Sequence, residues 1–271
     1  MIYTQNLHTH STYCDGKDSL EETVCYAIEK GYNSIGFSGH SYMFFNPKIC
    51  MSIKETEEYK KDLSFLKEKY KDKIEIFSGL EFEMYSDCEK SGYDYVIGAS
   101  HYFKINDEYV GFDRDAKTVK NVIDTYFGGD GMKYAKEYYK NLASLPEYGD
   151  FDIVGHFDLV AKHSEKEDFF DINSKEYRNY AFEALYALKE KIDVFEINTG
   201  AIARGYRTTP YPSDFILKEM KNADCKIIIS SDCHDKNFLT NYFDESVLLL
   251  KACGFSEVYT LTKNGFKGHK I

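Results

Sequence analysis

The chain has 271 residues, 43% of them hydrophobic, and a formal net charge of -11. That length and apolar share suit one large α/β domain, here taken as residues 1–271, with a sizeable core. The acidic balance and the lack of any Lys/Arg run exclude a polyanion-binding stripe, so no nucleic-acid partner is expected.

Taken in chain order, short apolar runs rich in β-branched and aromatic residues predict strands at 2–8, 33–38, 74–81, 94–100, 151–156, 192–197 and 226–231, with a further run at 256–261. Between them lie helical patterns. Ser19 and Glu22 form a capping-box signature for a helix that ends before Gly31. Residues 54–70, 116–126, 131–144, 174–190, 213–222 and 244–253 read as amphipathic helices. Seven or eight strand–helix repeats imply a β/α barrel. The longer connections 40–53, 157–173 and 199–212 each follow a strand and are expected at the catalytic mouth. The N-terminal MIYTQNLHTH has neither a basic n-region nor a long apolar stretch, and no segment is long enough to span a bilayer. Seven scattered cysteines without a CxxC pair suit reduced thiols in a cytoplasmic protein.

Histidine is scarce, yet six of the eight residues fall at predicted strand ends: His8 and His10 in NLHTHS, His40 in GFSGH, His101 in GASHY, His156 in IVGHF and His234 in SSDCH. Carboxylates join them at matching positions, Glu81 in SGLEFE and Asp232 in SSDCH, and Asp15 follows the first strand closely enough to fold over the same mouth. In a β/α barrel the C-terminal strand ends build the active site. Imidazoles and carboxylates gathered there are the donor set of a multinuclear site for divalent metals. His163 and His269 fall outside this register. Glu83 reads equally as support for the ligands or as a solvated carboxylate, and Glu196-Ile-Asn198 at the sixth strand end is ambiguous. Cys233, between Asp232 and His234, points the other way by strand period and is expected in the core.

The ordered set HTHS with Asp15, then GFSGH, GLEFE, ASHYF, VGHFD and SSDCH, resembles the PHP (polymerase and histidinol phosphatase) superfamily over essentially the whole chain. Its length and lack of a fused polymerase are similar to the stand-alone histidinol-phosphate phosphatases. The resemblance implies a distorted (β/α)7 barrel of TIM type and three divalent ions: one on His8, His10, Glu81 and Asp232, one on Glu81, His101 and His156, one on Asp15, His40 and His234. Where this chain has Asp15 some members carry His, a change that favours manganese or iron over zinc at that position. The implied reaction is hydrolysis of a small phosphate monoester, L-histidinol phosphate, by water activated on the metals. Asp232 and His234 both qualify as the acid for the leaving alkoxide.

Only four arginines occur, and two of them, Arg204 and Arg207, lie in the loop after the sixth strand. Arginine pairs bidentately with phosphate. Arg204 resembles the phosphate-binding arginine of these phosphatases, with Arg207 as its helper or as a loop salt bridge. Asp158, Tyr42 and Phe44 are positioned for the amine and imidazole end of that substrate. The alternatives are another phosphoesterase of the superfamily, a metal-dependent nuclease or amidohydrolase on a related barrel, and a non-catalytic metal-binding barrel.

Overall fold

The computed structural model describes residues 3–271, so the first residue of the strand expected at 2–8 lies outside the described residues. The chain begins with β1 (Gln5–Asn6), α1 (Leu20–Glu29), β2 (Ser34–Phe37), α2 (Ile53–Lys69), β3 (Glu75–Glu83) and β4 (Tyr95–Ala99). A hairpin of β5 (Tyr102–Ile105) and β6 (Glu108–Gly111) leads to α3 (Ala116–Tyr126) and α4 (Gly131–Ala143). Then come β7 (Ile153–Val154), α5 (Lys175–Lys189), β8 (Val194–Asn198), the short α6 (Gly200–Ala203), α7 (Asp214–Asn222), β9 (Lys226–Ser230) and α8 (Phe243–Ala252). The chain ends in a hairpin of β10 (Glu257–Thr262) and β11 (Gly265–Lys270). Among the described residues no helix is long and apolar enough to cross a membrane.

Seven strands form one parallel sheet in the order β1-β2-β3-β4-β7-β8-β9. The sheet curls until its two ends meet. Cys233 N–H donates to His8 O at 3.0 Å, and His10 N–H to Cys233 O at 2.8 Å. Lower down the seam, the Asn6 side chain stands in for a backbone ladder: it donates to Ser231 Oγ (2.7 Å) and Leu239 O (3.2 Å) and accepts from Ser231 N–H (3.4 Å). The helix starts follow their caps. Ser19–Glu22 closes the expected capping box on α1, and Ser52–Glu55 closes a second on α2.

The run at 256–261 does form a strand, but it pairs with β11 and not with the barrel. The hairpin seats Leu261 under the barrel axis, in one cluster with Leu7, Phe77, Tyr95, Ile97, Ile153, Val194 and Ile228. Inside, Tyr95 lies across the axis and donates to Leu7 O. Gly79 makes room for it, since a Cβ there would come within 2.2 Å of the Tyr95 ring. Residues 102–111, to which the sequence reading assigns no element, turn at Asn106 and Asp107 with φ of 51° and 63°, the left-handed pair of a tight hairpin.

Inward positions recur with period two. They run Phe77, Gly79, Glu81, Glu83 along β3; Tyr95, Ile97, Ala99 and then His101 along β4; Val194, Glu196, Asn198 along β8; Ile228, Ser230 and then Asp232 along β9. Each series is apolar at the base and turns to ligand-type residues at the mouth.

Candidate metal centre

The strand ends bring His8, His10, Asp15, His40, Glu81, His101, His156, Asp232 and His234 together at the C-terminal mouth. Three groups have donor atoms within 4.8 Å of one another: His10, Asp15, His40 and His234; His8, Glu81 and His156; His8, His10 and Asp232. Glu81 is the hub. Its Oε1 lies 3.0 Å from His156 Nε2, 3.4 Å from His8 Nε2 and 3.7 Å from His101 Nε2, and its Oε2 lies 2.7 Å from His40 Nδ1 and 3.5 Å from His10 Nε2. Asp15 faces His234 Nε2 at 3.2 Å and both His10 and His40 at 3.6 Å. Asp232 Oδ1 lies 3.2 Å from His10 Nε2 and 3.8 Å from His8 Nε2. These groupings differ from the implied sets. His10 stands with Asp15, His40 and His234 as well as with Asp232, His8 stands with Glu81 and His156 as well as with Asp232, Glu81 is not in the group that holds Asp232, and His101 lies outside all three groups. Asp232 reaches the mouth with φ at 47°, in the left-handed region an Asp tolerates.

A buried cluster of this kind is expensive without cations. His8 Nε2, His10 Nε2 and Glu81 Oε2 are buried without a well-aligned hydrogen bond, although Glu81 Oε2 and His10 Nε2 each have a close polar neighbour, and each unsatisfied atom costs about 1–3 kcal/mol. The electrostatics point the same way. Burial pushes the His8 imidazole down, but Glu196, Glu81 and Asp232 outweigh it and hold its pKa well above the ordinary value. Burial, with His234 and His40 beside it, takes His10 down to about 3. Glu81, despite burial, is held well below the usual carboxylate range by His40 and His8. Imidazole and carboxylate donors of this number, with unsatisfied atoms aimed at a common centre, fit divalent metal ions.

Two further carboxylates stand behind the clustered histidines. Glu83 Oε2 accepts from His101 N–H (2.8 Å) and lies 3.0 Å from His101 Nδ1. Glu196, which the sequence left ambiguous, lies 3.0 and 3.1 Å from His8 Nδ1 and accepts from His156 N–H at 2.7 Å. The strand period was the available signal for Glu196: it shares the inward face of β8 with Val194 and Asn198.

Arg204 reaches the cluster. Its Nη2 donates to Asp232 Oδ2 at 2.8 Å, and its Nη1 lies 3.1 Å from Asp232 O and 3.2 Å from His234 Nδ1. Gly200 permits this approach, since a Cβ there would meet Arg204 Nη2 at 2.8 Å and Asp232 Cβ at 2.9 Å. Arg207 is not brought to the cluster. It is buried against the Tyr211 ring, 3.7 Å from Asp158 and 3.8 Å from Glu165, and donates to Ser213 Oγ and Thr209 Oγ1. Asp158, expected to face the substrate's amine, is fully buried and takes the Ser213 hydroxyl (2.6 Å) and N–H (3.0 Å). The reason is local: this buried network ties the connection after β7 to the one after β8. Phe44 is 53% exposed beside Phe45 and Tyr109 on a rim built by the 40–53 loop and the β5–β6 hairpin. Cys233 is buried, as expected, with its thiol on Asp235 O.

A seven-stranded parallel barrel whose strand ends converge imidazoles and carboxylates defines a class of metal-assembling β/α barrels. Within that class the chain belongs to the PHP domain family, whose model matches residues 6–200. The histidinol-phosphatase of Bacillus subtilis (strain 168) is 26% identical, over 84% of this chain and 92% of that protein. The histidinol-phosphatase of Lactococcus lactis subsp. lactis (strain IL1403) is 26% identical, over 97% and 94%. The probable histidinol-phosphatase of Schizosaccharomyces pombe is 25% identical, over 94% and 89%. The crystal structure of the Lactococcus lactis histidinol phosphate phosphatase, complexed with zinc, L-histidinol and phosphate, shares the fold with a TM-score of 0.76 at 23% identity, over 97% of this chain and 98% of that one.

Proposed function

We propose that this protein hydrolyses L-histidinol phosphate to L-histidinol and inorganic phosphate, a step of histidine biosynthesis in the cytoplasm, with three divalent ions of zinc, manganese or iron. The observation that carries the reading is the meeting of Arg204 with Asp232 and His234 at the edge of the nine-residue cluster, in a chain whose relatives bear that activity in their names. His8, His10, Glu81 and Asp232 would hold one ion, Glu81, His101 and His156 a second, and Asp15, His40 and His234 a third. Divalent ions supply Lewis-acid neutralisation of phosphoryl charge and an acidified water at near-neutral pH.

The protein's own groups do the rest. Arg204 keeps about a third of its side chain exposed while its fork rests on Asp232, so a phosphate that displaces Asp232 gains a bidentate pair. In the hydrolysis the water oxygen bonds to phosphorus, the ester P–O bond breaks, and the alcohol oxygen takes up a proton. Asp232 and His234, both in contact with Arg204, are the groups placed to deliver it. Arg207, with Asp158, Glu165 and Ser213, holds the loop that carries Arg204.

The test is phosphate release from L-histidinol phosphate by metal-replete protein, beside other phosphomonoesters and a nucleotide diester. A kcat/KM far above the rest, abolished by chelation, is the expected result. Equal slow rates across the monoesters would reassign the protein to another phosphoesterase activity, and preference for the diester to a nuclease.

A further inference from the structure

Two of the clustered histidines are gripped from behind by a carboxylate that belongs to none of the three metal groups. His8 presents Nδ1 to Glu196, and its Nε2, without a hydrogen-bond partner, faces Glu81 and Asp232. His101 presents Nδ1 to Glu83, and its Nε2 faces Glu81. Both carboxylates are buried, Glu196 at 0% exposure and Glu83 at 2%. A neutral imidazole carries one N–H. A carboxylate on the Nδ1 side takes that proton and leaves the Nε2 lone pair facing the mouth. We infer that Glu196 and Glu83 are positioning residues that set the tautomer and orientation of His8 and His101 for metal binding.

The two differ in how firmly they do it. Glu196 meets only donors: His8 Nδ1–H, His156 N–H, the Asn198 carboxamide at 2.8 Å and the Ser230 hydroxyl. An ionised carboxylate accepts from all four without rearrangement. A glutamine would have to take the His8, His156 and Asn198 donors on one oxygen and turn the Ser230 hydroxyl into an acceptor. Glu83 receives both of its donors on Oε2, and its Oε1 has no partner. A glutamine there keeps the acceptor and loses only the charge. Glu196→Gln should therefore cost more than Glu83→Gln.

The inference rests on the metal reading above and not on the identity of the substrate, so its test reads metal binding directly. Full-length protein is stripped of metal, and zinc affinity and stoichiometry are measured by competition with a chromophoric chelator. Thermal unfolding of the metal-free form is the control for folding. Glu196→Gln should weaken at least one site by roughly 10–100-fold, and Glu83→Gln by a smaller factor, with metal-free melting close to wild type. In zinc-loaded protein, two histidine Nδ1–H protons should exchange slowly with water; Glu196→Gln should lose the His8 proton, and Glu83→Gln should shift the His101 proton and speed its exchange. Wild-type zinc affinity in both variants overturns the inference. If Glu196→Gln does not fold, Glu83→Gln decides alone: unchanged affinity with an unchanged His101 proton overturns it. Wild-type protein that binds zinc but spares histidinol phosphate sinks the proposed substrate only. Wild-type protein that binds no zinc sinks both.

Discussion

At the base of the barrel, Gln5 gives its carboxamide to both backbone groups of Leu261, donating to O at 2.9 Å and accepting from N–H at 2.7 Å, while Tyr3 donates to Tyr259 O. Asp94 there accepts from Ser78 N–H and from Lys67. At the mouth the same strands end in buried imidazole and carboxylate atoms that find no well-aligned hydrogen bond. The base matches its polar groups and fills its centre with Leu261, so it contributes stability. The mouth leaves polar atoms unmatched and crowds like charges, so it costs stability and provides a binding site. Opposite ends of one barrel thus carry opposite duties, in keeping with activity at the C-terminal face.

Substitutions at the two ends should separate cleanly. Glu81→Ala removes the carboxylate shared by five histidines; phosphate release should fall by more than about 10³-fold and the bound metal should drop, as read by elemental analysis. Full metal content in that variant would contradict the hub assignment. Arg204→Ala should lower kcat/KM by roughly 10²–10³-fold with metal content and circular dichroism unchanged, and an unaltered kcat/KM would remove Arg204 from the phosphate site. At the other end, Leu261→Ala should destabilise by about 2 kcal/mol or more in urea titration and leave kcat/KM at wild type. A loss of activity in folded protein would mean that the two ends are coupled.

The smallest effect is expected at Asp94. Burial raises its carboxyl, but Lys67 and Ser78 outweigh burial and leave its pKa below the ordinary value. A depressed folded pKa contributes stability above the unfolded value, near 4, and loses it as pH falls through the folded one. The pair is partly exposed, so Asp94→Asn should cost under about 1 kcal/mol at pH 7 after screening. The gap to wild type should close in acid. A gap that persists at pH 2 would assign the effect to packing.

Much of this architecture was legible because it is local. Apolar β-branched runs mark strands wherever they fall, Ser19–Glu22 marks a helix start, and the ligand-type residues other than Asp15 lie near the end of their own strand or within four positions after it. The hairpin at 102–111 carried a signal too, Asn106-Asp107 between alternating residues, but a two-residue turn is easily passed over beside a histidine motif. Residues 256–261 look like an eighth barrel strand because sequence reports extended structure and not its partner.

By itself, then, the amino-acid order determined a β/α barrel of seven or eight strands, the mouth as the site, and the imidazoles and carboxylates that meet there. Tertiary structure alone decided how they group. His10 faces Asp15 as well as Asp232, His101 stands at the rim with Glu83 behind it, Glu196 backs His8, and Arg207 turns to Asp158 while Arg204 reaches Asp232. Those pairings span up to 222 positions in the chain, from His10 to Asp232. They depend on the curl of the sheet and the seam that closes it, and no local pattern encodes either.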